Sequence, residues 1–255
     1  MKTNTEFKNT ALAALRGHWG KAVLASVIYA AVLYFSMGPA IFSQVRLQNY
    51  ARENGPQVTS SMSLGTAVRE AMQAAMALSQ DPAYLDLQSK ASGTMGLYYL
   101  ISIFVVLPLG LGFFNAFRLL LRGDGEVPTN MGRIAFQNYW HKVWGMFLMY
   151  IFIALWSLLF LIPGIIKMFS YAMTPYILEE NPELTAGEAI DRSRAMMKGH
   201  KFDLFWLYLS FIGWFFLGFL TLGIGMLWIS PYLETAQAAF YEEVKADYEI
   251  NGGLV

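Results

Sequence analysis

Of the 255 residues, 56% are hydrophobic and only 14% are charged, and the formal net charge is zero. Ordinary soluble domains hold about 25% charged residues, so this chain has too few charges to cover the surface of a soluble fold of its size. The neutral balance gives no general attraction to nucleic acid. The absence of cysteine excludes disulfides, thiolate catalysis and cysteine-ligated metals.

Five long blocks contain no Asp, Glu, Lys or Arg: residues 22–45, 91–117, 143–166, 168–178 and 204–233. A helix needs about 20 apolar residues to cross a bilayer, whereas barrel strands alternate in polarity over about ten residues. The blocks therefore predict an all-α integral membrane protein. The first block is longer than a signal-peptide core and lacks a convincing cleavage site, so we expect it to be retained as a membrane span.

Two tracts, residues 143–178 and 204–241, are each long enough for two crossings and hold one charge each, Lys167 and Glu234. Each has proline or glycine near its middle, in "FLIPGII" and "LTLGIGML", and these residues favour tight turns. The alternative is one long span followed by a surface segment in each tract, which gives four crossings in all.

The distribution of positive charge decides between these topologies, because cytoplasmic loops carry an excess of Lys and Arg. Six spans place thirteen of the eighteen Lys and Arg on the cytoplasmic side, whereas four spans place nine on each side. We therefore predict one membrane domain over residues 1–255, with six transmembrane helices in three hairpins and both termini cytoplasmic. The hairpins cover residues 22–121, 143–180 and 203–241, and residues 43–92 form an extracytoplasmic insertion in the first.

A weak threefold pattern runs through the chain. The three histidines each come just before an outgoing span, and each return span contains a proline. This pattern favours one unit used three times, although basic and aromatic flanks common to many spans explain it as well. The residues at these membrane boundaries are predicted interfacial anchors: His18, Trp19, Trp140, His141, Trp144, His200 and Trp206.

Three amphipathic surface helices accompany the spans. Thr185 and Glu188 form a capping box before a helix that Gly199 can end. Apolar residues at helical spacing also mark a helix before the first span and another inside the insertion, which we expect on the outer face. The positions are Ala186, Ile190, Ser193 and Met197; Phe7, Ala11, Leu12 and Leu15; and Leu64, Val68, Met72, Ala75 and Met76.

Two stretches carry a family resemblance. Residues 162–201, "IPGIIKMFSYAMTPYILEENPELTAGEAIDRSRAMMKGHK", and residues 209–243, "LSFIGWFFLGFLTLGIGMLWISPYLETAQAAFYEE", closely resemble the bacterial family of unknown function DUF975. The likeness is looser through the first two spans. The resemblance implies a multi-spanning bacterial membrane protein, located in the cytoplasmic (inner) membrane, and it implies no reaction, ligand or active site.

Charged and proline-associated residues inside the apolar blocks are the candidate functional residues, because intramembrane charges are costly and are usually kept for a function. Lys167 can instead extend to the outer interface, and Glu234 can be interfacial near the inner end of the last span. Prolines that bend the return spans free carbonyls that neighbouring tyrosines can satisfy. The candidate cavity residues are Lys167, Tyr171, Pro175, Tyr176, Pro231, Tyr232 and Glu234.

Familiar catalytic motifs are missing from the sequence: it contains no HExxH, GxSxG or GxxxxGK[ST], and no aspartate within an apolar block. We expect no enzyme activity, no cofactor and no bound metal. The leading hypothesis is a membrane scaffold or regulatory partner in the bacterial envelope, in contact with lipids, other membrane proteins or itself and not with nucleic acid. The alternative is a lipid-handling or small-solute transport protein with a cavity lined by proline-bent return helices. A closed apolar bundle would favour the scaffold, and a polar cavity the alternative.

Overall fold

A computed structural model describes residues 1–55 and 63–250; residues 56–62 of the predicted insertion and residues 251–255 lie outside the described part. The chain is about 85% helical without strands in that part, which confirms the all-α class. The helices are α1 (Asn4–Leu15), α2 (Trp19–Asn54), α3 (Leu64–Gln80), α4 (Pro82–Ile101), α5 (Leu107–Leu121), α6 (Val127–Phe136), α7 (Tyr139–Leu159), α8 (Leu161–Ser170), α9 (Thr174–Glu180), α10 (Ala186–Met196), α11 (Lys201–Leu209), α12 (Ile212–Leu220) and α13 (Met226–Ile250).

Five helical segments within the described residues are long and apolar enough to cross a membrane. Three of them are composite, because a π-helical turn joins α4 to α5 and short breaks separate α8 from α9 and α11 from α12. This finding supports a membrane protein. The segments are Trp19–Asn54, Pro82–Leu121, Tyr139–Leu159, Leu161–Glu180 and Lys201–Leu220.

Helix α13, which contains the return half of the third predicted hairpin, is not among these five. Its apolar residues are interrupted by Glu234, Gln237 and Glu242, which lower its hydropathy. Other helices surround α13: it packs against α1, α5, α10, α11 and α12, and most of its residues from Ile229 to Val244 are buried. Since other helices cover most of residues 229–244, this part of α13 tolerates polar side chains that a lipid-facing helix would not.

The chain forms two compact units, residues 1–31 with 103–255 and residues 32–102. In the second unit, α3 confirms the helix predicted from the apolar spacing of the insertion, with Ser63 as its N-cap. Asp81 caps α4 by accepting a hydrogen bond from the amide of Ala83 at 2.9 Å, and it accepts a second from the Tyr50 hydroxyl at 2.6 Å. This residue therefore ties the end of α2 to the start of α4.

In the first unit, short amphipathic helices precede the three helices that the sequence predicts as outgoing spans: α1 before α2, α6 before α7 and α10 before α11. Their apolar faces are buried against the protein. In α1 these residues include Phe7, whose ring lies 5.5 Å from that of Phe240 in α13. The predicted capping box of α10 is present, and its hydrogen bonds from Thr185 hold the pKa of Glu188 below the usual 4.5. Gly199, with φ +91°, follows the end of α10.

The chain breaks or turns near both positions where the sequence predicts a hairpin turn, with one shift. The second turn lies at residues 221–225, where Leu222 and Gly223 adopt positive φ. The first turn lies at Phe160, and Pro163 and Gly164 belong to the first turn of α8. Gly164 is needed there because a Cβ atom would lie 2.1 Å from the Ser157 hydroxyl oxygen of α7, so the glycine permits close packing of the two helices.

Candidate functional site

A cavity of about 360 Å³ lies in the first unit, between five segments of the bundle. Of the seven candidate cavity residues, it brings together Tyr171, Pro175 and Glu234. Helices α5, α7, α11 and α13 and the α8–α9 segment contribute its walls. The complete lining is Phe114, Met149, Tyr150, Ile153, Met168, Tyr171, Ala172, Pro175, Tyr208, Leu233, Glu234 and Gln237.

The break between α8 and α9 shapes one wall. Pro175 has no N–H to donate to the carbonyl of Tyr171, so a continuous α-helix would leave that carbonyl without its partner. The amide of Thr174 donates to it instead, at 3.0 Å, and α9 starts again at Thr174. The chain therefore turns at residues 171–173, where Tyr171 and Ala172 line the cavity.

The polar part of the cavity comes mainly from α13. Glu234 and Gln237 are three residues apart, so they lie on one face of that helix. The Tyr208 hydroxyl donates to Oε1 of Gln237 at 2.8 Å. By contrast, Oε2 of Glu234 is buried and accepts no hydrogen bond from the described residues. Helix α13 extends sixteen residues past Glu234, so this carboxyl lies within the helix.

The other four candidates lie outside the cavity lining. The ammonium of Lys167 lies 4.4 Å from the centre of the Trp156 ring and 5.8 Å from that of Tyr171. Tyr176 is completely buried and stacks on Tyr241 at 4.6 Å. The others pack elsewhere in the bundle: Pro231 is buried within α13, and Tyr232 contacts Phe211 and Trp214.

A charged cluster that the sequence analysis missed joins α5, α9 and α13; we name it the Glu180 cluster. Its centre is the carboxylate of Glu180, whose side chain is 11% exposed. Arg118, 4% exposed, pairs with this carboxylate and donates from Nε to Asn115 at 3.0 Å. The other donors to Glu180 are Arg122 and Lys245, each at 2.8 Å, and the hydroxyl of Tyr241.

The neighbouring residue Glu179 pairs with Lys142, whose buried ammonium also donates to the carbonyl of Ile134. Together these contacts fasten α5, α6, α7, α9 and α13 at one end. The sequence offered two signals for this cluster: consecutive glutamates at residues 179–180 and arginines at residues 118 and 122. A charge at the end of an apolar block does not, however, show which residue it pairs with.

The predicted interfacial anchors fall at the starts of α2, α7 and α11. Trp140, Trp144 and Trp206 are exposed there, as lipid-facing indoles would be. His200 lies 3.2 Å from Asp247 and 3.4 Å from Asp203, so it links the start of α11 to α13. The remaining anchors, His18, Trp19 and His141, are half-buried. Among the described residues no group of three or more His, Cys, Asp or Glu could hold a metal ion.

Comparison with known proteins gives a single result. Searches of curated proteins and of solved structures return no match. A family model described as a protein of unknown function (DUF975) matches residues 1–248. Because this match covers nearly the whole chain, the protein belongs to the DUF975 family.

Proposed function

We propose that this chain crosses the inner membrane of a bacterium six times, with both termini in the cytoplasm, and that it binds a small amphiphilic molecule within the bilayer. The sixth crossing is α13, which the other helices shield from lipid. The distribution of Lys and Arg supports the orientation. Small-solute transport or lipid handling, without catalysis, is the role that follows.

The observation that carries the binding function is the buried Oε2 of Glu234, which accepts no hydrogen bond from the described residues and lies in a cavity whose other walls are mostly apolar and aromatic. The cavity falls at the lower end of the size range of ligand pockets, about 300–1,000 Å³. Two residues at its rim, Tyr150 and Met168, are 46% and 48% exposed. They belong to α7 and α8, so the cavity opens sideways between helices that face lipid.

The alternative role, a scaffold or regulatory partner of other membrane proteins, predicts a closed apolar interior. The cavity therefore favours ligand binding over the scaffold. Catalysis forms no part of the proposal, because the acid–base groups of the described lining are Glu234 and three tyrosines, without a serine, histidine, lysine or aspartate beside them.

Single cysteines test the cavity, since the chain has none of its own. Ala172→Cys places a thiol in the cavity wall; Ala236→Cys places one in α13 at a fully buried position outside the lining. Ile212→Cys places a third on an exposed, lipid-facing position. Only the thiolate reacts readily with maleimides, and thiols in apolar surroundings stay protonated, so fast modification marks a position that water reaches.

We expect N-ethylmaleimide to modify Ala172→Cys in proteoliposomes, and to modify the other two variants much more slowly. Mass spectrometry of the intact protein measures the rates. Equal, slow modification of all three variants would mean that the cavity admits neither water nor a small molecule, and the proposed function would be rejected.

A further inference from the structure

We propose that the cavity binds an organic cation, an alkylammonium or quaternary ammonium group carried on an apolar chain, with Glu234 as its counter-ion. This inference rests on the proposed binding function and specifies the chemistry of the ligand. It starts from the charge of the cavity. Glu234 is the one carboxylic acid in the described lining. Its Oε2 is buried and has no donor among the described residues, and an isolated carboxylate in an apolar environment is costly unless a cation or a proton neutralises it.

The described lining of the cavity contains no lysine or arginine to supply that cation. The Lys167 ammonium, which belongs to the neighbouring segment, is placed over the face of Trp156. Gln237 is uncharged, and its carbonyl oxygen accepts a hydrogen bond from the Tyr208 hydroxyl. The carboxyl of Glu234 is therefore available to pair with a positively charged ligand, since its Oε2 has no hydrogen-bond partner among the described residues.

The walls around this carboxyl suit an ammonium group. Four aromatic side chains line the cavity: Phe114, Tyr150, Tyr171 and Tyr208. Aromatic faces attract cations, most strongly when water is excluded, and quaternary ammonium ligands are typically bound in this way. Lysines in the same unit already use such contacts, with the Lys8 ammonium 4.6 Å from the centre of the Phe211 ring.

The remaining walls suit the apolar chain. Ile153 and Leu233 line the cavity and Met168 lies at its exposed rim. A ligand with a cationic head at Glu234 would direct its chain past Met168 toward the hydrocarbon. This arrangement selects an amphiphilic cation that reaches the cavity from the bilayer.

Protection of Ala172→Cys from N-ethylmaleimide tests the inference. The probes share an eight-carbon chain and differ in the head: octyltrimethylammonium, octanol and octanesulfonate. We expect saturable protection by octyltrimethylammonium alone. In the Glu234→Gln background the cation should bind at least about tenfold more weakly, which corresponds to losing one interaction of about 1.4 kcal/mol. Glu243→Gln, on the same helix but paired with Lys2, should leave protection unchanged.

Equal protection by octanol, or undiminished protection by the cation in Glu234→Gln, would overturn the cation site while leaving the binding cavity intact. Failure of Ala172→Cys to react would instead reject the cavity itself. Tyr171→Leu provides a second variant should Glu234→Gln not yield folded protein, as judged by gel filtration. It removes one aromatic wall and keeps the carboxyl, and we expect it to weaken cation protection without creating protection by octanol.

Discussion

Replacing Glu180 by glutamine keeps the shape of the central side chain in the Glu180 cluster and removes its charge. Arg118, at 4% side-chain exposure, then stays buried with Asn115 as its remaining partner. Removing one member of a buried ion pair costs about 3–5 kcal/mol, because the other charge is left uncompensated. Arg122 and Lys245 are 45% and 25% exposed, so water can replace much of what they lose.

We therefore expect Glu180→Gln to lower the free energy of unfolding by about 3 kcal/mol. Titration of mixed detergent micelles with dodecyl sulfate, followed by circular dichroism, measures this change. Glu183→Gln, at an exposed position three residues on, serves as the control and should change stability by less than about 0.5 kcal/mol. Combining Glu180→Gln with Arg118→Met should restore part of the loss, since the uncompensated buried charge is then gone. A loss below about 1 kcal/mol would refute the assignment of Arg118 as a charge that depends on Glu180.

Three further outcomes are expected. Gly112→Ala should lower the free energy of unfolding in the same titration by about 1–3 kcal/mol, because its Cβ would lie 2.2 Å from a backbone oxygen of α6. As the control, Gly132→Ala has open space around it and should raise the free energy of unfolding by up to about 1 kcal/mol. The lowered pKa of Glu188 predicts that its stabilisation of the α10 N-terminus is complete above pH 4.5 and is lost as the pH falls through the lowered pKa. Hydrogen exchange of the amides at this N-terminus should therefore accelerate on acidification in the unmodified protein but not in Glu188→Gln. In intact cells an impermeant maleimide should label Gln73→Cys in α3 and reach Arg194→Cys in α10 only after permeabilisation; labelling of the latter in intact cells would exclude six spans.

The features of the fold that could be predicted from the sequence are those marked by apolar runs and helix caps. Uninterrupted apolar blocks gave the all-helical membrane class, and the spacing of Leu64, Val68 and Met72 gave α3, because burial in lipid and helical periodicity leave a local trace. The first and last residues of α13 were harder to predict from the sequence. Its polar residues reflect contact with five other helices, which is a property of the assembled bundle.

The candidate site was predictable in part. Glu234 stood out because a charge within an apolar block is rare, and Pro175 because it must interrupt a helix. Lys167 met the first criterion too, yet its side chain turns to Trp156, and sequence spacing does not specify such a direction. The partners of Glu180 on α5 and α13 lie 58 to 65 residues away along the chain, so no local pattern connects them.

The polarity of α13 has a consequence for biogenesis. During synthesis, whether a segment inserts into the bilayer depends on the free energy of its transfer from water to lipid. Carboxylates and amides near the centre of a segment make this transfer less favourable. Helix α13 carries such groups in Glu234 and Gln237 and emerges from the ribosome after α1, α5 and α11 have been made. If α13 forms the proposed sixth crossing, its partners would have to provide a groove for it, and its integration would depend on assembly of the earlier helices.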